Sequence, residues 1–139
     1  RLRINEESLP LMGRLAQGPM TMRLLPGEQI VGAVCTEQAP LMLFSQRGMI
    51  GRIDCSGVRY NQRGDLGSMA VQVDAESDRL VGVSAGPGLV GVRTSKDRHG
   101  RLNPDNITIS KPGDKLMEKT SLQSGETIVE VINAIQPNP

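Results

Sequence analysis

Gly86-Pro87-Gly88-Leu89-Val90-Gly91 is a literal G-x-G-x-x-G, the spacing with which backbone amides can cradle a dinucleotide pyrophosphate. That chemistry needs a helix opening behind the glycines. The chain instead continues Val92-Arg93-Thr94-Ser95-Lys96 without a helical period, so the run reads as a turn between strands. Cys35, Cys55 and the single imidazole of His99 are too few to make a metal set, and no metal or other cofactor is expected. A nucleophile and base pair would have to use His99, and the carboxylates Glu6 and Glu7 sit in a polar stretch where nothing would perturb them. No catalytic residue is therefore assigned. Arg63-Gly64-Asp65 reads as a charged hairpin tip, and Asn106-Ile107-Thr108 as a glycosylation sequon that matters only in a secreted chain.

Cations at the turns could do other chemistry. Arg47 and Arg52 flank one turn, Arg59 and Arg63 the next connection, and Lys96, Arg98 and Arg101 the corresponding hairpin further on, with Arg93 close by. If the turns repeat in space, these side chains form a stripe that can follow the phosphates of a duplex. The bland alternative is that they only solubilise turns, since Asp54, Asp65 and Asp97 are interspersed among them. Whole-chain charge does not arbitrate, with sixteen Lys and Arg against fifteen Asp and Glu. Phe44 and Tyr60 are the only aromatics, which removes the stacking platform of a single-strand binder. No apolar run spans a membrane and no secretion signal opens the chain, so a soluble, cytoplasmic protein with reduced cysteines is expected. The chain begins at Arg1 rather than Met, which reads as a piece of something longer.

The elements that position these turns are repeated. An acidic residue followed by an apolar run occurs at Glu28–Val34, Asp78–Val83 and Glu126–Val131, the acids standing 50 and then 48 residues apart. Each acid is expected to accept a backbone N–H before its strand begins. Gly32 and Gly82 inside these strands imply close packing, and Glu130 takes that place in the third copy. Strand patterns are also read at Met20–Leu24, Leu41–Phe44, Met69–Val73 and Leu89–Val92, with turns such as Pro26-Gly27, Arg47-Gly48 and Pro112-Gly113 between them. A period near 50 built from short strands predicts an all-β, propeller-like fold of about two to three repeats. The units run from about 1 to 34 (partial), 35 to 84 and 85 to 135, within one domain of 1–139. The third copy is expected to carry about four extra residues near Thr94–Asp97.

The run Leu41-Met42-Leu43-Phe44-Ser45-Gln46-Arg47-Gly48-Met49-Ile50-Gly51-Arg52, with Gly57-Val58-Arg59 and Asp78–Val83, resembles a blade of the C-terminal domain of the DNA gyrase A subunit and of its topoisomerase IV counterpart. The resemblance implies a β-pinwheel of four-stranded antiparallel blades, a strand exchanged between neighbours, and a basic perimeter that binds and bends duplex DNA non-specifically. It further implies a non-catalytic part of an ATP-dependent type II topoisomerase, whose partners are the rest of the A-type subunit and a B-type subunit. Gln62-Arg63-Gly64-Asp65 is a truncated echo of the family's glutamine-arginine-glycine box, with an acid where a cation would help. Arg47, Arg52, Arg59, Arg63, Lys96, Arg98 and Arg101 are the expected phosphate contacts.

Two other readings stay open on the sequence. One is a propeller-like protein-interaction module, favoured if Asp54, Asp65 and Asp97 neutralise the turn cations or if those cations are scattered over both faces; the other is an enzyme with a concave site at His99. An unpaired sheet edge near Arg1–Asn5 or Thr127–Ala134 is also expected, open to self-association.

Overall fold

The computed structural model describes residues 1–36 and 40–133. Eight strands form two sheets: β1 (Leu41–Ser45), β2 (Met49–Ile53), β3 (Leu80–Ala85), β4 (Val90–Thr94), β5 (His99–Leu102), β6 (Ile109–Ser110), β7 (Glu118–Lys119) and β8 (Ile128–Ile132). The first sheet runs β3-β1-β2-β6, with β7 also on β2, and the second runs β5-β4-β8. The fold is all-β, and each sheet is a blade. Antiparallel pairing holds for β3, β1 and β2, but the outer place is shared by β6, parallel to β2, and β7, antiparallel to it. Both outer strands come from the following repeat, so the blade is closed by exchange.

Buried faces explain the apolar runs. Met42 and Phe44 of β1 point one way and Leu43 the other, as alternate residues of a strand must. Met42, Phe44 and Ile50 join Val90, Val92 and Ile128 of the second blade in one core, while Leu43, Ile53, Cys55, Val71 and Leu116 form another. A strand buried on both faces reads as continuous apolar sequence, which is why Leu41–Phe44 lacks alternation. Along the axis the inner segments Val31–Ala33, Val81–Val83 and Val129–Val131 line one cavity of about 310 Å³.

The structural period is 49 residues. Asn5, Asp54 and Asn103 each accept, through the side-chain Oδ1, the backbone N–H two residues on, which opens a tight turn. Gln62 N and Lys111 N donate to the carboxylates of Asp65 and Asp114, and the Gly64 and Gly113 amides donate to Thr21 O and Ala70 O. The hairpins match as well: Ser45 Oγ accepts from Met49 N, and Thr94 Oγ1 from Arg98 N. Gly48, at φ 88°, is answered by Asp97 at φ 55°, an acid in the left-handed region that its short polar side chain tolerates. No four-residue gain exists near Thr94–Asp97; the displacement read from the sequence came from matching His99-Gly100 to Arg47-Gly48 rather than to Ile50-Gly51. The 50 and 48 spacing of the acids arises because the middle copy has one extra residue at Asp78. Glu28, Ser77 and Glu126 close the equivalent turns, with N–H groups on Leu25, Asp74 and Gln123 carbonyls.

Other expectations need correction. Met20–Leu24 and Met69–Val73 are not ladder strands; each makes a single parallel bridge, Arg23 to Leu66 and Gln72 to Lys115. Glu28–Val34 is not a strand either: no ladder partner lies beside it among the described residues. Arg1–Asn5 is paired, accepting from Ser68 N and Asn61 N at Arg1 O and Arg3 O. Strand β8 is bonded to β4 on one side and packs towards β3 on the other. The open outer edge among the described residues is β5; Ala134 lies outside them.

Gly82 permits the blades to meet at the axis: a Cβ there would lie 2.8 Å from Val131 Cβ and closer still to Cγ2, as one at Gly32 would lie 2.7 Å from Val83 Cγ1. Gly82→Val is expected to destabilise by roughly 1–3 kcal/mol through overpacking. Gly57→Ala, where a Cβ meets nothing within 4 Å, should stay within about 0.5 kcal/mol in urea denaturation.

Candidate nucleic-acid interface

The cations read from the sequence have different fates. Arg98 donates to Glu126 Oε2 at 2.7 Å, and Glu126, whose side chain is fully buried, also takes the Thr94 hydroxyl and Gln123 N. That network joins the β4–β5 hairpin to the turn ahead of β8. The Thr94 hydroxyl above all, then the Gln123 amide and Arg98, holds the Glu126 carboxyl below its ordinary value. Asp78 does the matching work in the first blade, accepting from Arg47 N and Arg79 N at 2.9 Å. All three acids thus receive backbone N–H groups, Glu28 from Leu25 N, but only Asp78 and Glu126 do so ahead of a strand.

Arg52 is mostly covered and paired with Asp105 at 3.0 Å, while Lys96 donates to Ser124 O and Gln123 Oε1. Arg47 lies exposed in the field of Asp74, whose carboxyl is lowered mainly by the Ser77 hydroxyl and Glu76 N–H, with Arg47 adding to it. Arg59, Arg63 and Arg101 are exposed, and none is in an ion pair among the described residues. Among the described residues Asp54 and Asp65 are occupied with turn N–H groups and form no ion pair, and Asp97 reaches only Arg93, at 3.9 Å.

The register adds residues that turn-by-turn reading passed over. Arg14 stands 49 residues before Arg63 at the same turn, and Lys111 and Lys115 flank the equivalent turn between the outer strands β6 and β7. Aligning the copies on Asn5, Asp54 and Asn103 instead of on the acids would have found them. Arg98, His99 and Arg101 also line a groove of about 160 Å³ against Thr120–Leu122, in which the buried Thr120 hydroxyl has no hydrogen-bond partner. This groove is where an enzyme centred on His99 would need its site, but its neighbours are arginines, hydroxyls and aliphatic carbons. Among the described residues no three His, Cys, Asp or Glu cluster as metal ligands, and no helix is long and apolar enough to cross a membrane.

Repeated blades closed by an exchanged strand, with basic turns, match a known family model. The model described as DNA gyrase C-terminal domain, beta-propeller, aligns with residues 2–37 and 39–86, more than half the chain. The chain belongs to the DNA gyrase C-terminal domain family. Its fold is similar to the crystal structure of the C-terminal domain of DNA topoisomerase IV, at TM-score 0.80 and 16% identity over 92% of this chain. It is also similar to the DNA gyrase A C-terminal domain, at TM-score 0.57 and 17% identity over 70% of this chain. The chain spans 41% and 31% of the lengths of those two structures. No curated protein sequence matches it. The family is thus that of a C-terminal module of a topoisomerase A subunit.

A depressed Glu126 contributes stability in full above its unfolded value, near 4.5, and loses it as pH falls through the lower folded value. Melting temperatures of the wild type and Glu126→Gln should therefore differ most near pH 7. The gap should narrow below about pH 4.5 as the carboxyl becomes protonated in both states.

Proposed function

We propose that this gyrase C-terminal domain-like chain is a non-catalytic module that binds and bends duplex DNA through its phosphates. Arg59, Arg63 and Arg101 are the leading contacts, with Arg47 and Lys96 at the hairpins beside them and Arg52 and Arg98 available only by giving up their carboxylate partners. The observation that carries this reading is the state of the acids. Asp54 and Asp65 are taken up by turn amides, so the nearby cations stay free to meet an external anion. This favours DNA over a protein-interaction module, whose argument required those acids to neutralise the turns.

Backbone binding of this kind reads no sequence, and each phosphate neutralised releases counterions. Smoothly bending a 20–30 base-pair site costs about 1–6 kcal/mol, which many weak contacts along a curved edge can offset. In the intact protein the module would work beside the remainder of a topoisomerase A-type subunit and a B-type partner that supplies ATP-driven strand passage, in the cytoplasm.

Fluorescence anisotropy on two duplexes of unrelated sequence, across a salt series, tests the assignment. Arg63→Ala and Arg59→Ala should each weaken binding equally on both duplexes and lower the salt slope by about 0.9. Arg98→Ala should mainly lower the melting temperature. Duplex binding that is absent at low salt, or unaffected by Arg59 and Arg63 replacement, would refute the proposal.

A further inference from the structure

The outer segments carry apolar side chains that an edge binding only phosphates does not need. Tyr60 is 61% exposed and Ile109 49% exposed, and they stand 49 residues apart, at the same place in two successive repeats. Each lies beside an arginine of the preceding repeat: Ile109 is the parallel partner of Arg52, and the Tyr60 ring lies under Arg3. A single exposed apolar residue would call for no explanation. Here the position recurs, and it recurs among cations. Arg59 and Arg63 flank Tyr60, Lys111 follows Ile109, and all three are exposed.

Tyr60 is also held in place, which sets it apart from a loose surface ring. Arg3 is anchored through Nη1, which donates to Cys55 O and Val58 O at 3.1 Å, and its Nη2 donates to the Tyr60 hydroxyl at 3.1 Å. The guanidinium lies 4.3 Å from the ring centroid, and Asn61 N donates to Arg3 O at 2.7 Å, so ring and backbone are both fixed. With one face on Arg3, the exposure belongs to the opposite face and the edge. An aromatic oriented in advance loses little freedom when its ligand arrives. The ligand that suits an apolar face flanked by arginines has phosphates outside and flat rings within, as a stacked nucleic-acid step does.

We propose that Tyr60 acts as a wedge, entering a base step from the minor groove of the duplex and kinking it there, with Ile109 in the same role one repeat on. The wedge rests on the duplex-binding reading and adds to it a preference among duplexes. Unstacking costs least at pyrimidine–purine steps such as TA and CA, which are easily kinked. Phosphate contacts by themselves make no such distinction.

Anisotropy with two duplexes of about 30 base pairs tests this, one rich in TA and CA steps and the other of the same base composition with every purine on one strand. The wild type should favour the first about tenfold. Tyr60→Ala should bring the ratio below about threefold and leave the salt slope unchanged, since no charge is lost, whereas Arg59→Ala should lower the slope and keep the ratio. Tyr60→Phe should retain the preference, and Ile109→Ser, which leaves the Arg3 stack intact, should lower the ratio about twofold. Tyr60 is the only tyrosine and there is no tryptophan, so tyrosine emission, corrected for DNA absorbance, reports on this ring alone. It should fall by about half on the kinkable duplex and stay nearly constant with inorganic polyphosphate, which offers charge but no bases. A wild type that binds both duplexes equally overturns the wedge and leaves the duplex reading standing; no duplex binding at low salt overturns both. A ratio untouched by Tyr60→Ala, or emission that polyphosphate quenches as strongly as the duplex does, also overturns the wedge.

Discussion

The structure depends on one repeated set of backbone hydrogen bonds, those by which the outer segment of each repeat lies on the second strand of the repeat before it. Asp54 N donates to Ser110 O and Thr120 N to Gly48 O, so β2 has partners on both sides. Without the following repeat, β2 would show a row of unpaired amides and carbonyls, the usual liability of an edge strand. The exchange makes the satisfaction of one blade a property of the next, and short strands of two residues, β6 and β7, suffice because they only have to cover an edge. It also shapes the chain's charge. Turns such as Gln62–Asp65 and Lys111–Asp114 are pushed to the outermost layer by the segments that carry them, and the cations there are presented outward by topology.

At the axis the constraint is steric. Gly32 faces Val83 and Gly82 faces Val131, so a glycine of one inner segment receives a valine of the next. In the third copy Glu130 stands where the glycine would be and is bonded to Arg93 at 2.8 Å, an ion pair that raises the guanidinium pKa through that same hydrogen bond. A glutamate in this place offers no bare backbone for a valine to approach, so the third inner strand presents a polar face to the axis. The first two approaches are van der Waals contacts between neighbouring inner segments, whereas the Arg93–Glu130 pair is a cross-strand contact inside the second sheet.

Much of this was legible in the residues. The acids at 28, 78 and 126 announced the repeat, and the apolar runs Leu41–Phe44 and Leu89–Val92 announced strands, which are β1 and the start of β4. What misled was the single extra residue at Asp78, which spread a constant 49-residue period into 50 and 48, and the likeness of Gly100 to Gly48, which hid its true counterpart Gly51. Met69–Val73 alternates as a strand should, but it forms one bridge, Gln72 with Lys115, and no ladder. Local pattern states which side chains will be buried. Whether a ladder forms depends on a partner tens of residues away, and Ile30–Val34 meets none among the described residues. The candidate interface was harder to read, since an arginine in a turn looks the same whether a carboxylate will reach it or not.

Arg3, Arg52 and Arg101 make that last point sharply, because they occupy one position in three successive repeats. Arg3 donates to Cys55 O and Val58 O and lies 4.3 Å over the Tyr60 ring. Arg52 meets Asp105, and Arg101 meets nothing among the described residues. The side chain is the same each time; what changes is the turn supplied by the following repeat, which holds carbonyls and an aromatic ring for Arg3 and a carboxylate for Arg52. A guanidinium keeps its charge in every such setting. How far it is committed is therefore set by the turn that the next repeat lays beside it, and not by the arginine itself.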